Sequence, residues 1–169
     1  DFDNYVIAQV RRSFKFLEAE FNYSFEKIEN ESWGLSIYFR NTTTVVRVCL
    51  DPTGMGIYVE LIRLVNNMIP DRPIYYRKNT KVHFYALGNV LDIRAPSLRI
   101  DEPDLEDLIY NPGREKVVFA VIKQHAKALK MYARDVLQGD FSIFDKLEKT
   151  YPERLKKARE RLKKEGRDP

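Results

Sequence analysis

The sequence predicts an α+β protein: an N-terminal helix, a four-stranded antiparallel meander, then a C-terminal helical region packed on one sheet face. Three observations carry this. Apolar residues near Asp1 recur at helical spacing, those between Trp33 and Ile62 alternate, and those from Glu115 onward return to helical spacing. Strands grouped together, with helices before and after them, point to α+β rather than to a parallel sheet with crossover helices.

Asp3 or Asn4 is placed to cap a first helix reaching about Phe21. Val6, Val10, Phe14, Leu17 and Phe21 form its apolar face, opposite Arg11, Arg12, Lys15 and Glu18. A weaker strand, Ser24 to Glu29, precedes a turn at Asn30-Glu31-Ser32. Trp33, Leu35, Ile37 and Phe39 then alternate with Gly34, Ser36, Tyr38 and Arg40, the period of a half-buried strand. Asn41-Thr42 is short enough for a hairpin, after which Thr44, Val46, Val48 and Leu50 alternate with Val45, Arg47 and Cys49. Asp51-Pro52-Thr53-Gly54 has turn chemistry, and Ile57, Val59 and Leu61 face away from Tyr58, Glu60 and Ile62 in the last good strand.

From Val65 to Ile100 the pattern is irregular: Pro70, Pro73 and Pro96 interrupt it, Asn66-Asn67 reads as a loop, and a short helix fits Phe84 to Ile93. Asp101 or Glu102 before Pro103 reads as a helix start, with Asp104, Glu106 and Asp107 where a helix dipole favours carboxylates. The longest periodic segment begins near Arg114. Val118, Ile122, His125, Leu129, Tyr132, Ala133 and Val136 share one side of it, and Lys123, Lys127, Lys130 and Arg134 the other. Gly139 is placed to end that helix, and Asp140 to cap a short one from Phe141 to Thr150 that Tyr151-Pro152 closes. Residues 1–152 thus read as one domain and 153–169 as a basic C-terminal helical tail.

The 169 residues suffice for a core without metal or disulfide. One cysteine, Cys49, excludes an intramolecular disulfide and fits a reducing, cytoplasmic compartment. No apolar run approaches the roughly 18 residues of a membrane span, and no signal peptide is visible at Asp1, although the absence of a starting Met leaves an upstream segment open. The net charge of +4 has a location: eight basic and four acidic residues lie from Glu153 onward, leaving 21 of each sign in residues 1–152.

Candidate chemistry is sparse. His125 points into an apolar helix face with Val121, Ile122, Ala128 and Leu129 at ligand spacing, so the helical zinc pattern is missing. A core histidine and a catalytic one are the two readings. His83 lies in the irregular region. Cys49 shares a sheet face with Arg47, which would lower a thiol pKa; burial as an inert residue is the alternative. The acidic run from Asp101 to Asp107 lacks calcium-loop spacing, and Gly54-Met55-Gly56 is no phosphate loop. Nothing here calls for a metal or a cofactor, and an enzyme around His125 or Cys49 is the third-ranked reading.

Binding has more to show. If the meander pairs in order, Tyr38, Arg40, Arg47, Tyr58 and Glu60 gather on the polar sheet face. Tyr and Arg there offer large contact area with directed hydrogen bonds to a protein partner. The plainer alternative is a face that is solvated, or covered by residues 66–100. A second candidate is the segment from Arg72 to Tyr85. Arg72, Tyr75, Tyr76, Arg77, Lys78 and Lys81 in it, with the basic tail, make an alternative nucleic-acid surface by phosphate neutralisation and base stacking.

Leu137-Gln138-Gly139-Asp140-Phe141-Ser142-Ile143-Phe144 resembles the L-x-G-D-F-S-x-F ending of small uncharacterised bacterial domains, some of which resemble immunity proteins of polymorphic toxin systems. The resemblance covers the C-terminal third, and its motif is a helix stop and restart, so no functional residue is carried over. It implies a non-catalytic protein-binding module, an immunity or regulatory protein that masks a partner's surface.

Overall fold

The computed structural model describes residues 1–51, 56–73, 80–100, 112–164 and 166. Helices α1 (Phe2–Ser13) and α2 (Lys15–Phe21) precede strands β1 (Ser24–Glu31), β2 (Gly34–Arg40), β3 (Thr44–Asp51), β4 (Gly56–Arg63) and β5 (Phe84–Ala86). Then come α3 (Leu87–Arg94), α4 (Arg114–Tyr132), α5 (Arg134–Leu137) and α6 (Ser142–Lys164). The strands form one antiparallel sheet in sequence order, β1 to β5. The α+β architecture and the meander follow the alternation in the sequence.

Leu35, Ile37 and Phe39 of β2, Val46, Val48 and Leu50 of β3, and Ile57, Val59 and Leu61 of β4 share one core with the helices. From the helical layer come Val10, Phe14 and Leu17, Val118, Ile122 and Leu129, and Phe144 and Leu147. Alternation places every second strand residue on this inner face, and the helices bury it. A smaller cluster of Tyr38, Val45, Ile62 and Phe84, with Leu64 and Ile69, lies on the outer face.

Several boundaries differ from the sequence expectation. Asp1, rather than Asp3 or Asn4, caps α1 through the Asp3 amide, and the first helix breaks at Phe14. β1 runs on to Glu31, so the turn falls at Ser32 and Trp33. Trp33 therefore leaves the inner row it was assigned to. β2 starts at Gly34, where an added Cβ would stand 2.1 Å from the Leu50 carbonyl oxygen. A fifth strand exists because Phe84, Tyr85 and Ala86 pair with Ile62, Leu61 and Glu60, and the expected helix starts only at Leu87. Asn66 and Asn67 do form a turn, at φ 51° and 61°, with Val65 and Met68 bridged across it.

The long helix kinks at Ala133 rather than running to Gly139. The cause is Arg94 of α3, which donates to the Tyr132 carbonyl at 2.6 Å and pairs with both Asp135 carboxylate oxygens. That carbonyl is taken by a side chain inserted into the helical ladder. The last helix does not stop at Tyr151-Pro152; α6 passes through Pro152 to Lys164. Ile143, Phe144 and Leu147 bury its first half, and Tyr151 and Leu155 border a cleft shared with Asn89 and Ile93 of α3. Packing of this kind holds a helix together across one missing N–H. The expected turn at 51–54 and the helix start at Asp101–Asp107 fall on positions 52–55 and 101–111, outside the described residues.

The L-x-G-D-F-S-x-F segment acts as a structural joint. Gly139 has φ +89°, and a Cβ there would meet the Thr43 side chain at 2.9 Å. The Asp140 carboxylate accepts from the Ser142 amide and hydroxyl. Phe141 and Phe144 lie beneath the Arg63 guanidinium, and Phe144 meets Tyr85 edge-on at 4.7 Å. The preceding carbonyls are held from two sides: Leu137 accepts from Tyr23, just before β1, and from Asn41 of the β2–β3 turn, and Val136 accepts from Thr44. Gly139→Ala is expected to cost about 1–3 kcal/mol, from a left-handed backbone and a crowded Cβ together. Thermal melting of that variant checks it; an unchanged midpoint would mean that the joint relaxes freely.

Candidate functional site

The register sets out the outer face in rows. Lys27, Tyr38, Arg47, Glu60 and Ala86 stand opposite one another across the five strands, and Glu29, Ser36, Cys49 and Tyr58 make the next row. Arg40 faces Val45, which in turn faces Ile62, in a third. Tyr38, Arg40, Arg47, Tyr58 and Glu60 do share one face, as alternation requires.

Arg47 is the centre of this face. Its Nε and one terminal nitrogen donate to the Ser36 hydroxyl at 3.1 and 2.9 Å, and the other terminal nitrogen donates to Glu60 Oε1 at 3.3 Å. Its guanidinium lies 5.3 Å from the Trp33 ring centroid and 5.6 Å from that of Tyr38. Both side chains of the Arg47–Glu60 pair are nearly buried, at 12 % and 11 % exposure. Burial opposes the charge on Arg47, yet Cys49, Tyr38, Glu60 and Tyr58 around it leave its pKa raised. Arg72 reaches the same Glu60 oxygen at 2.7 Å while stacking 4.1 Å from the Phe84 centroid.

These contacts close a groove of about 530 Å³ over the sheet, bordered by Trp33, Tyr38, Arg47, Ile69, Arg72 and Phe84 among others. Residues 69–72 cross one side of the face, so the expected covering segment is present in part. Arg40 lies beside the groove, where it donates to the Asn67 carbonyl and side chain and pairs with Glu26. It thereby anchors the Asn66-Asn67 turn.

Cys49 is fully buried, with Sγ 3.7 Å from the Ser36 hydroxyl. Burial raises its thiol pKa despite the opposing pull of Arg47. Burial likewise raises the phenol pKa values of Tyr38 and Tyr58. Each of these groups is thus held in its protonated form at neutral pH. His125 lies on the opposite side of the sheet, in the core, facing the Ile57 backbone. His83 accepts from Arg63 at the far end of β4, about 20 Å of strand from Ile57. The two histidines therefore do not form a pair.

Of the basic-aromatic segment, Arg72 is committed to the sheet face and Lys81 is exposed. Tyr75, Tyr76, Arg77 and Lys78 fall outside the described residues. Among the described residues no cluster of His, Cys, Asp and Glu is arranged to hold a metal, and no helix is long and apolar enough to cross a membrane.

Comparison with family models, with curated proteins and with solved structures found no match.

The sequence reading missed Trp33, Ile69 and Phe84 as groove residues. Trp33 was read as an inner-face strand position, and its aromatic type was the only available signal. Ile69 and Phe84 reach the groove through the chain crossing and the short β5, which leave no periodic trace.

Proposed function

We propose that the chain is a non-catalytic protein-binding module that uses the outer sheet face, an immunity or regulatory protein of the kind that masks a partner's surface. The observation that supports it best is Arg47, set near two aromatic rings in a groove and fixed by Ser36 and Glu60. Trp, Tyr and Arg clustered in a partly desolvated pocket are the residue types that dominate binding energy. An arginine already immobilised loses little further entropy on binding. Tyr38 and Arg47 supply the floor in this reading, Glu60 and Arg40 hold it in shape, and Tyr58 extends it along the next row. The protonated thiol and phenols favour contact over nucleophilic chemistry. The buried free cysteine fits a cytoplasmic setting. The resemblance of residues 137–144 adds a toxin as the class of partner.

Affinity purification from the source cell tests this, with wild type and a Trp33→Ala/Arg72→Gln variant in parallel. Both side chains are at least partly accessible, and Glu60 keeps its pairing with Arg47, so the core stays intact. Wild type is expected to recover a stoichiometric partner, and the variant to bind it at least about 30-fold more weakly, as for loss of a hot-spot residue. Equal affinity of the two, or no partner under native conditions, would overturn the reading.

A further inference from the structure

The other side of the molecule carries a surface that the outer face does not explain. α4 bears Arg114, Lys116, Lys123, Lys127 and Lys130 against a single carboxylate, Glu115, within a body whose charges balance only when this helix is included. Where α4 packs along α1 and the start of α2 a groove of about 530 Å³ opens, lined by Arg12, Phe16, Phe119, Lys123, Lys127 and Lys130 with small residues between them. No carboxylate lines it. Lys130 is paired with Glu20, but among the described residues no carboxylate lies within 4 Å of Arg12, Lys123 or Lys127.

An ordinary solvated helix face mixes signs, and opposite charges one turn apart support it. Here Lys123 and Lys127 stand one turn apart with like charge, which destabilises the helix that carries them. Between the cations the groove has an aromatic floor. Phe16 and Phe119 are half-buried, with the Lys130 ammonium 5.6 Å from the Phe16 centroid and that of Lys123 5.2 Å from the Phe119 centroid. A cationic rim in which Arg12, Lys123 and Lys127 have no carboxylate within 4 Å among the described residues, set around an apolar floor, is the complement of an acidic segment that also carries an apolar side chain.

We propose that this α1–α4 groove docks an acidic segment of a partner protein. An apolar side chain sits on Phe16 and Phe119, and carboxylates reach Arg12, Lys123 and Lys127. Two observations favour protein over nucleic acid. The rings are already approached by this chain's own lysines, which leaves less open face for base stacking. The cationic rim from Lys123 to Lys130 is also only about 10 Å long, short for tracking a phosphate backbone. The groove lies in the helical layer, away from the outer sheet face, so this inference does not depend on the function proposed there.

The probe is a short fluorescein-labelled peptide of mixed glutamate and leucine. Its binding is followed by anisotropy and by amide chemical shifts, with a lysine-leucine peptide and oligo-dT beside it. Saturable binding of the acidic peptide is expected, with shifts centred on α1 and α4. A Lys123→Glu/Lys127→Glu variant, altered only at exposed positions, should weaken it about tenfold or more. Phe119→Ala should weaken it as well, which simple charge adsorption would not predict. The shift map of the wild type stands even if Phe119→Ala proves unstable. Binding that survives charge reversal, or shifts centred elsewhere, overturns the proposal. So does oligo-dT binding more tightly with the same sensitivity to charge reversal, which would assign the groove to nucleic acid.

Discussion

Glu60→Ala is expected to destabilise the protein by about 3–5 kcal/mol, the range for stripping one partner from a buried ion pair. The cost comes mainly from what is left behind. Arg47 keeps the Ser36 hydroxyl, but its nearest other carboxylate, Glu31, is 4.0 Å away. Its charge remains largely shielded from water, and Arg72 also loses its partner. Replacing both members by apolar residues of similar size removes the stranded charge, so Arg47→Met/Glu60→Leu should lie within about 1–2 kcal/mol of wild type. Urea denaturation of the single and double variants measures both quantities. A single-variant loss under about 1 kcal/mol would show that water reaches Arg47 and that the groove floor is not rigid. If the proposed binding function holds, the same double variant separates folding from recognition: it keeps its stability and loses partner binding through the absence of Arg47 and of the Glu60 that holds Arg72.

That site was half legible in the sequence, and the division has a physical cause. Residues two apart on a strand share a face whatever the rest of the chain does, so alternation groups Tyr38 with Arg40 and Tyr58 with Glu60, and the in-order pairing of the meander joins them to Arg47. What closes the groove depends on non-local geometry. Trp33 turns outward because the strand begins one residue later, where Gly34 permits close approach to the Leu50 carbonyl. Arg72 and Phe84 arrive from a segment whose prolines erase periodicity, and three-residue β5 is too short to show any.

The fold divides along the same line. The three long strands and the inward faces of α1 and α4 follow from patterns that a single element carries within itself. The kink at Ala133 is produced by Arg94, about 40 residues earlier in the chain. The passage of α6 through Pro152, which is itself exposed, depends on the buried turn at Ile143, Phe144 and Leu147 before it and on packing beside α3. Gly139-Asp140 was readable as a stop and restart, but the reason for glycine there includes Thr43 of the β2–β3 loop.

Between about pH 6.5 and pH 4 the protein is expected to lose about 3 kcal/mol of stability through His125 alone. Burial in the helix–sheet core lowers the imidazole pKa to about 4, outweighing the upward pull of the Ile57 backbone. Above the unfolded pKa, near 6.5, the ring is neutral in both states and the stability is fully present. As the pH falls below that value the unfolded chain binds a proton that the folded chain refuses, so stability declines. Below about 4 both states are protonated, and His125 contributes no further loss. The carboxylates of Asp135 and Asp140, held below their ordinary range by Arg94 and Ser142, release their share at lower pH, whereas His83, lowered by burial and by Arg63, adds to the decline in the same interval. Denaturant unfolding at intervals from pH 7.5 to 4 is the measurement, with His125→Leu as the comparison. The slope should fall by the share of His125 in the variant, leaving the parts due to His83 and, near the acid end, to Glu20 and Glu29, while its stability at pH 7 stays near that of wild type or falls modestly from imperfect packing. An equal slope in both proteins would mean that the buried ring accepts its proton at ordinary pH and that the core around Ile57 is open to water.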